Sequence, residues 1–95
     1  MLIDESSRRV LIVDDDELAR EFVMTLMQNE GWETHEAHNG QEGVDMALSV
    51  LPRLIILDVD MPVMSGFEAL QELRGDPRTE DIPVIMLTGI NESVA

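Results

Sequence analysis

The chain has 95 residues, and its 20 acidic and six basic residues give a formal net charge of −14 at pH 7. A surface of this charge repels nucleic-acid phosphates and anionic lipid heads, so we expect this segment to bind neither directly. Cysteine is absent, which excludes disulfides, thiolate zinc sites and thiol nucleophiles.

The apolar segments are too short for a membrane span, since the longest uninterrupted apolar runs have four residues. The first nine residues are too polar for the core of a signal peptide. No internal repeat or low-complexity linker divides the chain. We therefore expect residues 1–95 to form a single domain that resides in the cytoplasm.

The first half of the chain predicts two strands, each followed by a helix. Residues 10–13 are a β-branched apolar run that stops at three aspartates, as a buried strand does at a polar edge. Residues 17–29 carry apolar side chains at helical spacing, with Asp16 available as the N-cap. Residues 32–37 alternate weakly and predict a second strand, after which Asn39-Gly40 turns the chain into a short helix. The apolar residues of the two predicted helices are Leu18, Phe22, Val23, Leu26 and Met27, then Val44, Ala47, Leu48 and Leu51.

The second half repeats this pattern. Residues 54–57 are wholly apolar and end in Asp58, and the turn-rich segment 59–65 leads into another predicted helix. After a proline-rich break, residues 84–87 form a third apolar run, which ends at Thr88. The residues expected to face inward on the intervening helix are Phe67, Leu70 and Leu73.

Strands that alternate with helices at this rhythm predict an α/β fold, with a parallel sheet and helices on both faces. In such a sheet, ligands bind outside the carboxyl ends of the strands. The short apolar strands of this sequence each place polar residues at that edge: Asp14, Asp15, Asp58 and Thr88. We therefore expect these four residues, distant in sequence, to line one pocket.

The chemistry of that edge favours a metal-assisted phosphoryl transfer. Carboxylates held close together repel one another unless a cation or protons compensate the charge, and Mg²⁺ prefers oxygen ligands with several waters retained. An aspartate can itself attack a phosphoryl group, and Asp58 is the best candidate because it stands alone at the end of a strand before a loop. The hydroxyl of Thr88 is placed to bond a phosphoryl oxygen.

Three segments of the chain resemble the signature segments of response-regulator receiver domains. They are the run VLIVDDDE at residues 10–17, the run IILDVDMP at residues 55–62 with Ser65-Gly66 after it, and the run PVIMLTG at residues 83–89. Each segment alone is moderately specific, but their joint order and spacing are characteristic. The resemblance covers the whole chain apart from its first few residues.

The resemblance implies a role for each matching residue. Asp58 matches the phosphorylated aspartate, Asp15 a direct carboxylate ligand of Mg²⁺, and Asp14 the neighbouring acid that acts through bound water. Asp60 matches the position whose backbone carbonyl binds the metal, and Thr88 the switch hydroxyl that moves toward the phosphoryl group. The implied donor is a phosphohistidine on a sensor histidine kinase or on a phosphotransfer protein of a phosphorelay.

The resemblance also implies a doubly wound, flavodoxin-like fold that continues through one more strand and helix. A lysine at the end of that strand pairs with the phosphoryl group in the family, whereas all six basic residues of this chain are arginines. We therefore expect a receiver domain that lacks its last strand and helix. Such a sheet has an open edge at residues 84–87, so we also expect self-association.

Two other functions fit parts of the sequence. The pair Asp58 and Asp60 after an apolar strand also resembles the nucleophile motif of haloacid-dehalogenase-type phosphatases, but that family carries a threonine soon afterwards, where this chain has Met61-Pro62. The other alternative is a receiver-like interaction module that is never phosphorylated. Retention of the acids and of Thr88 argues against it, since such a module has no need to bind Mg²⁺.

Overall fold

The computed structural model describes residues 8–87, so Thr88, predicted as the switch residue, lies outside the described part. Within residues 8–87, four strands alternate with three helices, as the sequence predicts. The elements are β1 (Arg9–Val13), α1 (Glu17–Asn29), β2 (Glu33–Ala37), α2 (Gly40–Val50), β3 (Leu54–Asp58), α3 (Gly66–Arg74) and β4 (Val84–Leu87).

The four strands form one parallel sheet in the order β2-β1-β3-β4. Helix α1 packs on one face of this sheet, and α2 and α3 pack on the other. The predicted fold class is therefore confirmed. The order places β1 and β3 side by side in the centre, with Val13 in register with Leu57. Their carboxyl ends consequently open onto the same edge.

The core consists of two clusters, one on each face of the sheet. Because successive side chains of a strand point to opposite faces, each central strand contributes to both clusters. Leu11 and Leu57 belong to the larger cluster under α2 and α3, whereas Val10 and Ile12 belong to the smaller cluster under α1. These strand residues are almost fully buried, which fixes the position of the polar residues that follow them.

Two adjacent stripes of side chains run along α1. The stripe that faces the sheet consists of the half-buried apolar residues Val23, Met24 and Met27 together with the buried Arg20, at the i, i+3, i+4, i+7 spacing of one helix face. The adjacent stripe of Leu18, Phe22 and Leu26 is exposed.

The inward prediction for Phe67 is wrong, because this side chain is 60% exposed. At 3.6 residues per turn it lies roughly 120° around α3 from the buried Leu73. Its neighbour Leu70 is partly buried and packs against the larger core cluster, as expected. The apolar arc of α3 is thus wider than the surface that the core covers.

Each helix begins at a side-chain cap immediately after a strand or loop. Asp16 accepts a hydrogen bond from the Leu18 N–H, and Asn39 accepts one from the Glu42 N–H. Ser65 and Glu68 form a capping box at the start of α3. These caps determine the residue at which each loop at the carboxyl ends of the strands stops and the next helix begins. Among the described residues, no helix is long and apolar enough to cross a membrane.

Candidate functional site

Three aspartates meet at the carboxyl edge of the sheet. Asp14 and Asp15 follow β1 directly, and Asp58 is the last residue of β3. One carboxylate oxygen from each of the three lies within 4.8 Å of the others. The adjacency of β1 and β3 explains this convergence, which confirms the expectation that these three side chains lie close together; their functional roles stay predictions.

The carboxylates are held in a charge-crowded, partly dehydrated setting. Burial raises the pKa of Asp14, and the negative charges of Asp15 and Asp16 add to the rise, although the Asp16 N–H bond to its Oδ1 lowers it. Burial also raises the pKa of Asp58 to about 6, with repulsion from Asp14 and Asp15 as the next contributions. Both effects penalise the charged forms, so a bound cation would relieve them.

The donor set of this cluster fits Mg²⁺. It offers hard carboxylate oxygens from only three side chains, and Asp15 is exposed, so several positions around an ion stay open to water and to a phosphoryl group. A closed, all-protein cage would instead suit Ca²⁺ better. The acids present are therefore sufficient to hold one half-hydrated divalent ion.

Asp60 is not part of the three-carboxylate cluster. It lies exposed in the loop after β3, and its charge contributes to the raised pKa of Asp58. The predicted role of Asp60 uses its backbone carbonyl rather than its carboxylate, so the placement of its side chain does not bear on that role. The metal contact of Asp60 and the switch role of Thr88 stay predictions.

Gly66 packs directly under the phosphoacceptor candidate. A Cβ at this position would fall on the backbone carbonyl of Asp58, and the Gly66 N–H donates to the Val59 carbonyl at 2.9 Å. The loop 59–65 is thereby closed at its base. The sequence marked Ser65-Gly66 as part of a family segment, but the requirement for glycine comes from a contact that only the three-dimensional structure shows.

The loop between Asp58 and α3 contains a strained turn. The Met64 N–H donates to the Pro62 carbonyl at 2.7 Å, which closes a three-residue turn around Val63. Val63 has φ of 72°, in the left-handed region that β-branched residues rarely adopt, and it is 83% exposed. Met64 also lies against Gly40, where any Cβ would meet the Met64 carbonyl.

Arg20 is a residue of this region that sequence reasoning missed. Its Nη1 donates to the backbone carbonyl of Asp14 at 2.8 Å, and its Nε donates to Glu36 at 2.7 Å. The available signal was positional, since Arg20 precedes Val23 by three residues and Met27 by seven and so falls on the sheet-facing stripe. A charged residue at an inward helical position needs an oppositely charged or hydrogen-bonding partner, because an unpaired buried charge is costly.

Sequence comparison matches residues 10–95 to the response regulator receiver domain family. One curated relative is RpaA, a DNA-binding dual master transcriptional regulator of Synechocystis sp., which is 39% identical over 84 residues. That alignment spans 88% of this chain and 35% of RpaA. The chain spans about two fifths or less of the length of the curated relatives it matches.

Solved structures give the same result. The N-terminal domain of a response regulator receiver protein from Methanoculleus marisnigri has a TM-score of 0.81 and 35% identity, covering 84% of this chain and 65% of that one. The response regulator TrrA from Thermotoga maritima, crystallised in complex with Mg²⁺-BeF, also has a TM-score of 0.81, with 36% identity. It covers 90% of this chain and 72% of that one.

Proposed function

Because the chain belongs to the response regulator receiver domain family, we propose that it is the phosphoacceptor of a two-component signalling system and that Asp58 takes the phosphoryl group. The observation that carries this proposal is the meeting of Asp58 with Asp14 and Asp15 at one edge of the sheet. We place this chemistry in the cytoplasm and take residues 1–95 to act as one domain.

The proposed reaction begins with attack by an Asp58 carboxylate oxygen on the phosphorus of a phosphohistidine. A new O–P bond forms, the P–N bond breaks, and the departing histidine nitrogen keeps the electron pair. The donor is a sensor histidine kinase or a phosphotransfer protein. Asp58 is suited to attack because it ends a rigid buried strand, while the loop after it leaves its carboxylate partly accessible.

Asp15 would bind Mg²⁺ directly, Asp14 would act through bound water, and Asp60 would add its backbone carbonyl. When bound, the ion neutralises negative charge on the two groups that must approach each other. The crowding of three carboxylates supports this assignment. The TrrA complex with Mg²⁺-BeF supports it further, since that related protein binds the same type of ion. Thr88 would contribute its hydroxyl to a phosphoryl oxygen and couple the modification to output.

The proposed domain catalyses only its own phosphorylation and dephosphorylation and turns over no separate substrate. Radiolabelled phosphohistidine donor, offered with Mg²⁺, should therefore label the full chain stoichiometrically, and the label should decay afterwards. Asp58→Asn should abolish labelling, because an amide is a far weaker nucleophile. Asp81→Asn, which changes an exposed aspartate before β4, is the matched control and should be labelled like the wild type.

Labelling that persists unchanged in Asp58→Asn would contradict the assignment. Continuous hydrolysis of a small phosphate ester would favour the phosphatase alternative instead. A chain that neither binds Mg²⁺ nor accepts label, although folded, would support the interaction module. Thr88→Ala should leave labelling largely intact while weakening the structural response, because the lost hydroxyl affects coupling more than attack.

We also propose that the chain self-associates through the outer edge of β4. In the described part of the sheet, β4 has one neighbouring strand, and its Ile85 is 49% exposed on the face of α1. An exposed apolar edge strand is a template for pairing with a second copy. Light scattering should show a concentration-dependent mass that Ile85→Lys reduces. A wild-type chain that stays monomeric at high concentration would contradict this proposal.

A further inference from the structure

We infer that Arg20 is a positioning residue for the metal-binding acids, because its guanidinium fixes the backbone at the corner between β1 and α1. The inference rests on the proposed function, since it concerns the Mg²⁺ site of that reaction. The hydrogen bonds of Arg20 within residues 8–87 go to Glu36 and to the backbone of Asp14, not to the carboxylates of the cluster. Arg20 acts on that site through Asp14.

The first argument is the burial of Arg20. The residue is 5% exposed, which makes it the one buried basic residue among residues 8–87. A buried charge is costly unless it is paired and hydrogen-bonded. The guanidinium of Arg20 donates two charge-assisted hydrogen bonds, at 2.7 and 2.8 Å. One contact neutralises the guanidinium with Glu36 on β2, and the other reaches the Asp14 carbonyl.

The second argument is that Asp14 is held at three points. Its N–H donates to the Ala37 carbonyl at 3.2 Å, and its carbonyl accepts the bond from Arg20. Its Oδ1 accepts the Asp16 N–H at 2.9 Å. The chain is therefore restrained on both sides of Asp14, and on the carboxyl side Arg20 and the Asp16 N–H each supply one restraint.

The third argument follows from peptide planarity. The Asp14 carbonyl and the Asp15 nitrogen lie in one rigid plane, so the bond to Arg20 sets the direction in which the chain leaves toward Asp15. The same plane fixes the position of the Asp15 Cα, from which the Asp15 carboxylate extends. Asp15 is exposed, so the restraint on its backbone helps to hold its carboxylate near those of Asp14 and Asp58.

The fourth argument concerns why an arginine is needed. A guanidinium presents several donors in a planar fork, so one side chain can bond Glu36 through Nε and Asp14 through Nη1 at the same time. A lysine ammonium is a point donor on a flexible stem and cannot reproduce that geometry. Replacing a whole buried ion pair with apolar side chains of similar volume is often neutral for stability, so stability alone does not account for an arginine at this position.

The test compares Mg²⁺ affinity with stability in the full chain. Arg20→Met keeps most of the buried volume and removes both donors, and we expect it to weaken Mg²⁺ binding by about tenfold, as loss of an outer-shell partner does. Calorimetric titration with Mg²⁺ alone measures the dissociation constant, and urea unfolding in a chelator measures stability. Labelling of Asp58 should need more Mg²⁺ for half-saturation, whereas its rate at saturating Mg²⁺ should change much less.

Arg74→Met is the matched control. Arg74 also holds backbone carbonyls, those of Glu80 and Ile82, but it does so on the connection between α3 and β4. This variant should lose stability and keep the wild-type Mg²⁺ affinity. The Mg²⁺ affinity of Arg20→Lys should lie between those of the wild type and Arg20→Met. If Arg20→Met fails to fold, the affinity of Arg20→Lys decides whether Arg20 has the positioning role.

Folded Arg20→Met or Arg20→Lys protein with wild-type Mg²⁺ affinity would overturn the inference and leave the proposed function standing. Wild-type protein that binds no Mg²⁺ would instead overturn the proposed metal site and this inference with it. Reduced affinity in the Arg20 variants combined with unchanged affinity in Arg74→Met would establish the positioning role.

Discussion

The two connections that form the functional edge differ in how firmly they are held. The β1–α1 connection is three residues long, and its first residue, Asp14, is buried and hydrogen-bonded through N–H, carbonyl and carboxylate. The β3–α3 connection is seven residues long, has no buried residue, and contains the strained turn at Val63. The proposed metal acids thus lie on a fixed corner, and the proposed phosphoacceptor borders an adaptable loop.

This difference suits the two tasks. A metal site gains affinity when its ligands are held in place before the ion arrives. A segment that must change conformation after modification needs few buried contacts and a small gap between its arrangements. The comparison predicts that changes at the corner affect metal binding, whereas changes in the loop affect the environment of Asp58.

The largest expected effect is at Gly66, where the loop returns to the strand. Gly66→Ala places a methyl group against the Asp58 carbonyl, and either the loop or the end of β3 has to move. We expect a loss of roughly 2–4 kcal/mol in the free energy of unfolding, together with a sharp fall in labelling. Urea unfolding and the labelling assay measure the two effects.

Gly75→Ala is the control for that substitution. Gly75 follows α3, has φ of −86°, and offers a Cβ only ordinary contacts, the nearest being 3.4 Å from the Gln71 carbonyl. We expect this variant to unfold within about 0.5 kcal/mol of the wild type. An equal loss in the free energy of unfolding in Gly66→Ala and Gly75→Ala would show that the close approach of Gly66 to the Asp58 carbonyl does not require glycine.

The next largest effect is on the pH dependence of stability. It tests whether burial and the negative charges of Asp14 and Asp15 raise the pKa of Asp58. The folded chain without metal holds the pKa of Asp58 at about 6, above its usual 3.8. A carboxyl whose pKa is raised on folding contributes stability below its unfolded pKa, and this contribution is lost as pH rises through about 6.

In a chelator, the free energy of unfolding should therefore fall between about pH 4 and pH 7, and the difference from Asp58→Asn should be on the order of 1–2 kcal/mol after solvent screening. Added Mg²⁺ should restore stability at pH 7, because the ion compensates the carboxylates. Identical pH profiles for wild type and Asp58→Asn would contradict the raised pKa.

These results show how much the sequence alone could provide. The positions of Asp14, Asp15 and Asp58 could be predicted because short apolar strands end at them, and a parallel sheet brings such ends together. Gly66 and Arg20 could not be assigned, since their roles depend on contacts with the Asp58 and Asp14 carbonyls, and carbonyl positions follow from register and loop path. Phe67 was misplaced because helical spacing shows an apolar arc but not how much of it the core covers.

The smallest expected effect is at Val63 and addresses the strain in the loop. Val63→Asn replaces a β-branched residue with one that tolerates positive φ, so stability should rise by about 0.5–1 kcal/mol. Leu51→Asn is the matched control, because Leu51 also has positive φ, 50°, at the end of α2 and away from the acids. A slower structural response to phosphorylation in Val63→Asn alone would show that the strain assists switching.

The central claim is that Asp58 is the phosphorylated residue of a magnesium-dependent phosphoacceptor. The most direct measurement is to phosphorylate the full chain with Mg²⁺ present, reduce the acyl phosphate with borohydride, and locate the modified residue by mass spectrometry. The account predicts homoserine at position 58, and none when Mg²⁺ is removed. Modification at Asp14, Asp15 or Asp60 instead, or equal modification of Asp58 in a chelator, would contradict it.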